Sequence, residues 1–165
     1  MAARQPSNLP DPRFVFSTGA AFDRAATVLL DIFDRDPDAG LGVVINVNAA
    51  FAAEVYLKCL HLLAGKRREG HKLDDLFDSL PDTDKSPIAA EFNQRSKRVF
   101  WTKISPGVPE TYDVELEVFL PRIASTFVDW RYIHEATELA DASGLIEFVD
   151  ALRRQIERTK PEWIR

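Results

Sequence analysis

The chain's 165 residues are the size of one domain, and its 45% hydrophobic and 28% charged residues describe a globular chain rather than a disordered one. A net charge of −5 argues against broad, non-specific nucleic-acid binding, which needs a positive field, while leaving room for a local basic patch. The single cysteine, Cys59, excludes an internal disulfide, and its apolar neighbours predict a reduced, buried, inert thiol.

In chain order, residues 1–13 read as a flexible lead-in with no apolar core of a signal peptide. Ser17 or Thr18 is placed to cap a first helix, along which Phe22, Ala25, Ala26, Leu29 and Phe33 recur at helical spacing. Asp36, Pro37 and Gly40 stop it. A second helix is predicted from about Val43 to Ala64, with Gly65 as its stop. It is apolar nearly all round, which places it at the centre of a bundle. No stretch is read as approaching the roughly 20 apolar residues that span a bilayer. A cytoplasmic protein with no membrane partner is the expectation.

Lys66 to Gly70 form a basic turn. Leu73, Leu76, Phe77 and Leu80 then give a short helix one apolar stripe, ended by Pro81. Ser86 and Pro87 predict the next helix start, with Ile88, Phe92 and Val99 on its inner side. Thr102 to Thr111 reads as the longest loop. Asp113 is placed to cap a helix beginning at Val114, carried by Leu116, Phe119, Ile123 and Phe127 across a kink or break at Pro121. Ser143 is expected to cap a last helix whose stripe is Leu145, Phe148, Val149, Leu152 and Ile156, with Pro161 as its end. No window alternates with period two and no hairpin turn occurs. The reading is all-α: an up-and-down bundle of about five to seven helices, with residues 14–160 as one domain and 161–165 as a tail.

Polar residues on apolar elements are the candidates for function. Glu54, Lys58 and His61 fall at i, i+4 and i+7. They form either an exposed face with a Glu–Lys pair or a polar patch facing His71, Arg131 and Glu135 in a groove. Arg131 and Glu135 are themselves i, i+4, the spacing of a salt bridge. His71 is placed either to cap the short helix it precedes or to bind a ligand. Basic residues gather at Lys66–Arg68, at Arg95, Lys97, Arg98 and Lys103, and at Arg153, Arg154, Arg158 and Lys160. They read as solvated faces, or as a phosphate site where two of them meet. Phe100, Trp101 and Tyr112 read as core or loop packing, or as candidates for stacking or for a partner contact. The three histidines share no metal-site spacing, and no glycine-rich phosphate loop occurs, so neither metal nor cofactor is expected.

Ala53-Glu54-Val55-Tyr56-Leu57-Lys58-Cys59-Leu60, then His71-Lys72-Leu73-Asp74-Asp75-Leu76, then Arg131-Tyr132-Ile133-His134-Glu135 stand in an order that resembles HEPN-domain proteins. The likeness covers roughly residues 41 to 158. It implies an up-and-down helical bundle, a homodimer, a prokaryotic toxin–antitoxin, defence or RNA-metabolism setting, and a protein partner such as a cognate antitoxin. The family's ribonucleases use an arginine, four to six residues, then a histidine. Arginine neutralises the scissile phosphate and histidine moves protons near neutral pH. None of His61, His71 and His134 has an arginine at that spacing. The resemblance therefore implies a non-catalytic binding or accessory module. The alternatives are a divergent metal-independent ribonuclease using Arg131 and His134, and a nucleotide or small-effector sensor at Glu54, Lys58 and Arg131.

Overall fold

The computed structural model describes residues 9–36, 39–94, 115–125 and 144–164, with the backbone alone of 95–99. Among these residues there are six α-helices, α1 Pro12–Arg35, α2 Gly42–Leu63, α3 Leu73–Asp78, α4 Asp82–Val99, α5 Leu116–Ile123 and α6 Leu145–Thr159, followed by a 3-10 turn at Pro161–Trp163. No strand occurs among them. The protein is an all-α helical bundle. Helix α2 packs on α1, α3 and α6, and α6 also packs on α4.

The central place of α2 follows from its composition. Ala49, Ala50, Ala52, Ala53, Tyr56, Leu57, Cys59 and Leu60 are all buried on one half of the helix, and Glu54, Val55, His61 and Leu62 on the other, so most of its circumference meets protein. By length and composition α2 is the one described helix able to cross a membrane, which the sequence reading did not anticipate. A core helix meets the same criterion, and much of α2 is packed inside the fold. Its end is built by Gly65 at φ +73, where Gly65 N–H donates to the Leu62 carbonyl at 2.9 Å and Lys66 N–H to that of His61 at 2.9 Å. This paired closure needs the left-handed residue that glycine supplies.

Several helix starts differ from the sequence reading. Helix α1 begins at Pro12, capped by Asp11, whose Oδ1 accepts from Arg13 N–H at 3.0 Å. Ser17 and Thr18 lie inside the helix and donate back to the Phe14 carbonyl. Helix α4 starts at Asp82 rather than Ser86, and Pro87 sits inside it. Acidic Asp82 and Asp84 suit that first turn. Helix α5 starts at Leu116, with Pro121 inside it. Its cap comes from a neighbour: Asn93 of α4 accepts Leu116 N–H at 2.9 Å and donates to the Glu115 carboxylate. Helix α6 is entered through Gly144 at φ +93, with no side-chain cap. Phe127, Ser143 and the 102–111 loop lie outside the described residues.

Rings tie the helices together. Phe92 of α4 stacks on Phe119 of α5 at 5.0 Å, and Phe148 of α6 meets Phe92 and Phe77 edge-on at 6.4 and 6.1 Å. Across α1 and α2, Phe22 meets Phe51 at 4.4 Å. Such pairs add to the area they bury.

Cys59 is buried, as expected, and its thiol donates to the Pro12 carbonyl at 3.3 Å. Burial, with the nearby Asp11 charge, pushes the thiol up to about 12. Since only the thiolate is nucleophilic, Ellman's reagent is expected to leave the native protein unlabelled at pH 8 and to titrate one thiol once denaturant is added. Fast labelling of the native protein is the contrary result.

Candidate functional site

The polar stripe of α2 is not a solvated face. Glu54 is 2% exposed and His61 is fully buried, so the exposed-face reading fails. The apolar surroundings that put α2 at the centre also enclose its polar residues.

The structure brings three of the five binding candidates together. Glu54 Oε1 accepts from Lys58 Nζ at 2.7 Å, one turn along the helix. The same oxygen lies 3.0 Å from His71 Nδ1. His71 therefore reaches back to α2 instead of capping α3, whose N-cap is Lys72 and which has no side-chain cap bond. The turn from Gly65 to Gly70 carries the chain back so that His71 lies over Glu54. Both glycines have positive φ, a conformation that side chains resist. The start of α3 is also tied to α5, because Leu73 N–H donates to the Ala124 carbonyl at 3.0 Å. Arg131 and Glu135, the other two candidates, and His134 lie outside the described residues.

The environment around Glu54 is uneven. Lys58 is partly exposed and His71 is mostly exposed, so the outer side of the group is open to water. Glu54 Oε2 is buried and has no hydrogen-bond partner among the described residues. A buried carboxylate oxygen needs a donor, and among the described residues none supplies it.

His61 belongs to a separate arrangement. Its Nε2 lies 2.9 Å from the Leu76 carbonyl and 3.2 Å from Ser79 Oγ, while Ser79 Oγ donates to the same carbonyl at 3.0 Å. Burial lowers its pKa, helped by Arg68 and Lys66 and opposed by the Leu76 bond. The ring is thus neutral near pH 7 with its proton on Nε2, and it ties α2 to the end of α3. Nδ1 has no partner among the described residues.

A second polar network was not foreseen. Tyr56 donates to Asp23 Oδ2 at 3.2 Å, and Arg153 Nε approaches the same oxygen at 3.2 Å. Arg153 also pairs with Asp150 and with Glu157, the latter at 2.9 Å. Burial raises the Asp23 pKa, against the pull of Arg153, and burial beside Asp23 raises that of Tyr56. The sequence signal was the tyrosine itself: a hydroxyl in the middle of an apolar helix must find a partner. The third basic cluster is largely consumed in the same way. Arg154 pairs with Asp150 at 3.1 Å, and Arg158 reaches Glu91 at 3.4 Å. These arginines are paired with carboxylates of their own and neighbouring helices.

The basic turn stays exposed, with Arg67 near Glu69 at 3.7 Å. Phe100, Trp101, Lys103 and Tyr112, and the side chains of Arg95, Lys97 and Arg98, lie outside the description. A surface groove of about 580 Å³ between α1 and the C-terminal turn is lined by Arg13, Phe16, Ser17, Ala20, Ala21, Arg24 and Trp163. None of the sequence candidates lines it. No group of three or more metal-ligating side chains occurs among the described residues. No protein-family model matches the chain, and no significant match was found among curated proteins or solved structures.

Proposed function

We propose that this protein acts by binding, as a non-catalytic HEPN-like accessory module, with Glu54, Lys58 and His71 as its recognition site. One observation carries the reading. Glu54 is held inside the bundle by a lysine and a histidine on one oxygen, while its other oxygen has no donor among the described residues. A fold has little use for such a carboxylate in packing terms, since an apolar residue there costs less. Lys58 and the outer face of His71, which open to water, offer partners to an anionic group, and Glu54 beneath them holds both side chains in place. Nucleotides meet this description through their charged phosphates. The non-catalytic part is supported by the two described histidines. His61 is sealed from solvent, and His71 has one nitrogen committed to Glu54.

The test is a thermal-shift and calorimetric comparison of the protein with Glu54→Gln across ribonucleoside mono- and triphosphates. At a ligand concentration a hundredfold above Kd, binding stabilises by about 2.7 kcal/mol, a readily measured rise in Tm. The wild type is expected to show such a rise with at least one nucleotide, and Glu54→Gln to lose at least tenfold in affinity. A screen in which no nucleotide shifts Tm, or equal affinity for Glu54→Gln, counts against the site. Single-stranded and transfer RNA are expected to stay intact. Cleavage that disappears in His134→Ala would establish the ribonuclease reading instead.

A further inference from the structure

Helix α1 carries a seam that the other described residues leave exposed. Phe14 is 71% exposed, Val28 51% and Ile32 43%, three of the seven large apolar residues exposed among the described residues. They belong to one series along the helix: Asp11, Phe14, Thr18, Ala21, Ala25, Val28, Ile32 and Arg35. Each step in it is three or four residues, in strict alternation, the spacing that keeps a stripe facing one partner helix. Asp11, Phe14, Ala21, Val28, Ile32 and Arg35 are exposed, while Thr18 and Ala25 are partly so. The core side of α1 is another face, where Gly19 and Ala26 are buried against α2.

The spacing of the series reads the same from either end. Reversed about its midpoint, it sets Phe14 on Ile32, Thr18 on Val28 and Ala21 on Ala25. The terminal pair is Asp11 on Arg35, which are opposite charges. A sequence that mates with its own reverse is what a twofold axis across an antiparallel helix pair requires. Large residues meet large ones at the ends, and alanines meet at the middle, where the axes approach most closely. Antiparallel packing also sets each helix N-terminus beside the partner's C-terminus, a favourable arrangement of dipoles. Thr18 brings no unpaired donor to the seam, because its hydroxyl already donates to the Phe14 carbonyl. Arg24 flanks the seam near its twin, and its long stem lets the two charges part.

We propose that this seam is the docking surface for a second copy of the chain, forming an antiparallel α1–α1 dimer. It is independent of the Glu54 site, since no residue of one belongs to the other, and dimerisation and nucleotide binding are read separately.

The experiment is light scattering on the full chain at about 100 µM, with cross-linking to fix the direction. The expected mass is twice the 18.6 kDa of one chain. Val28→Glu with Ile32→Glu, both at exposed positions, should give a monomer with unchanged helical circular dichroism. Arg35→Asp should raise the dimer dissociation constant about tenfold. With a short bismaleimide, Ala21→Cys mixed with Ala25→Cys should cross-link more efficiently than either variant alone. A wild-type monomer at this concentration, a dimer that persists in the double glutamate variant, or preferred linking of Ala21→Cys to itself would each overturn the proposal.

Discussion

Phe148→Ala is expected to lower the unfolding free energy by about 3–5 kcal/mol, the range for deleting a fully buried aromatic side chain. Phe148 has no exposed surface and touches rings from two other helices, Phe77 of α3 and Phe92 of α4. Phe92 in turn stacks on Phe119 of α5. The ring thus closes a four-helix contact, and the cavity it leaves has several rigid walls that cannot collapse together. Urea denaturation followed by circular dichroism at 222 nm measures the loss. A change below about 1 kcal/mol would show that the cluster relaxes to fill the space, against the packing described above.

Gly19→Ala is expected to destabilise, although alanine is the better helix former by about 1 kcal/mol. A Cβ at position 19 would lie 2.7 Å from Tyr56 Cδ1 and 2.8 Å from Cε1, inside van der Waals contact. The Tyr56 ring has little freedom to retreat. Its hydroxyl is held by Asp23 and its face lies 5.8 Å from Phe16. Overpacking of this kind costs about 1–3 kcal/mol, which set against the propensity gain leaves a net loss of up to about 2 kcal/mol. The double variant Gly19→Ala, Tyr56→Leu separates the two effects, since removing the ring should make the alanine neutral or stabilising. A stabilising single Gly19→Ala would mean that α1 and α2 part without cost.

The sequence displayed its helices through period and its termini through punctuation, and the two signals differed in value. The apolar stripes of α2, α3 and α6 lie in the core as their spacing predicted. Starts were misread where the cap was not the nearest capping residue. Asn93 caps α5 from another helix, a relation that no local window contains. Ser17 and Thr18 looked like caps because their hydroxyls can bond backbone groups, and they do so inside the helix instead. For the site, spacing identified Glu54 and Lys58 as a pair, and the pair exists. It did not reveal that the pair is enclosed. Burial of an i, i+4 polar group depends on what packs over it, here the returning turn that carries His71. The Asp23–Tyr56–Arg153 network joins three helices far apart in sequence, so only the fold brings it into view.

That network has a consequence for how the protein is made. Asp23 and Phe16 of α1 meet Arg153 of α6 and Trp163 of the final turn. The first described helix therefore rests partly on the last. During synthesis, α1 and α2 emerge and pair while the side chains that complete their polar and aromatic contacts are still inside the ribosome. Until Arg153 and Trp163 are clear, the half-buried carboxyl of Asp23 lacks its arginine and the ring of Phe16 lacks its cover. A nascent chain stalled before α6 should be a ready substrate for chaperones and proteases, and the finished chain a poor one.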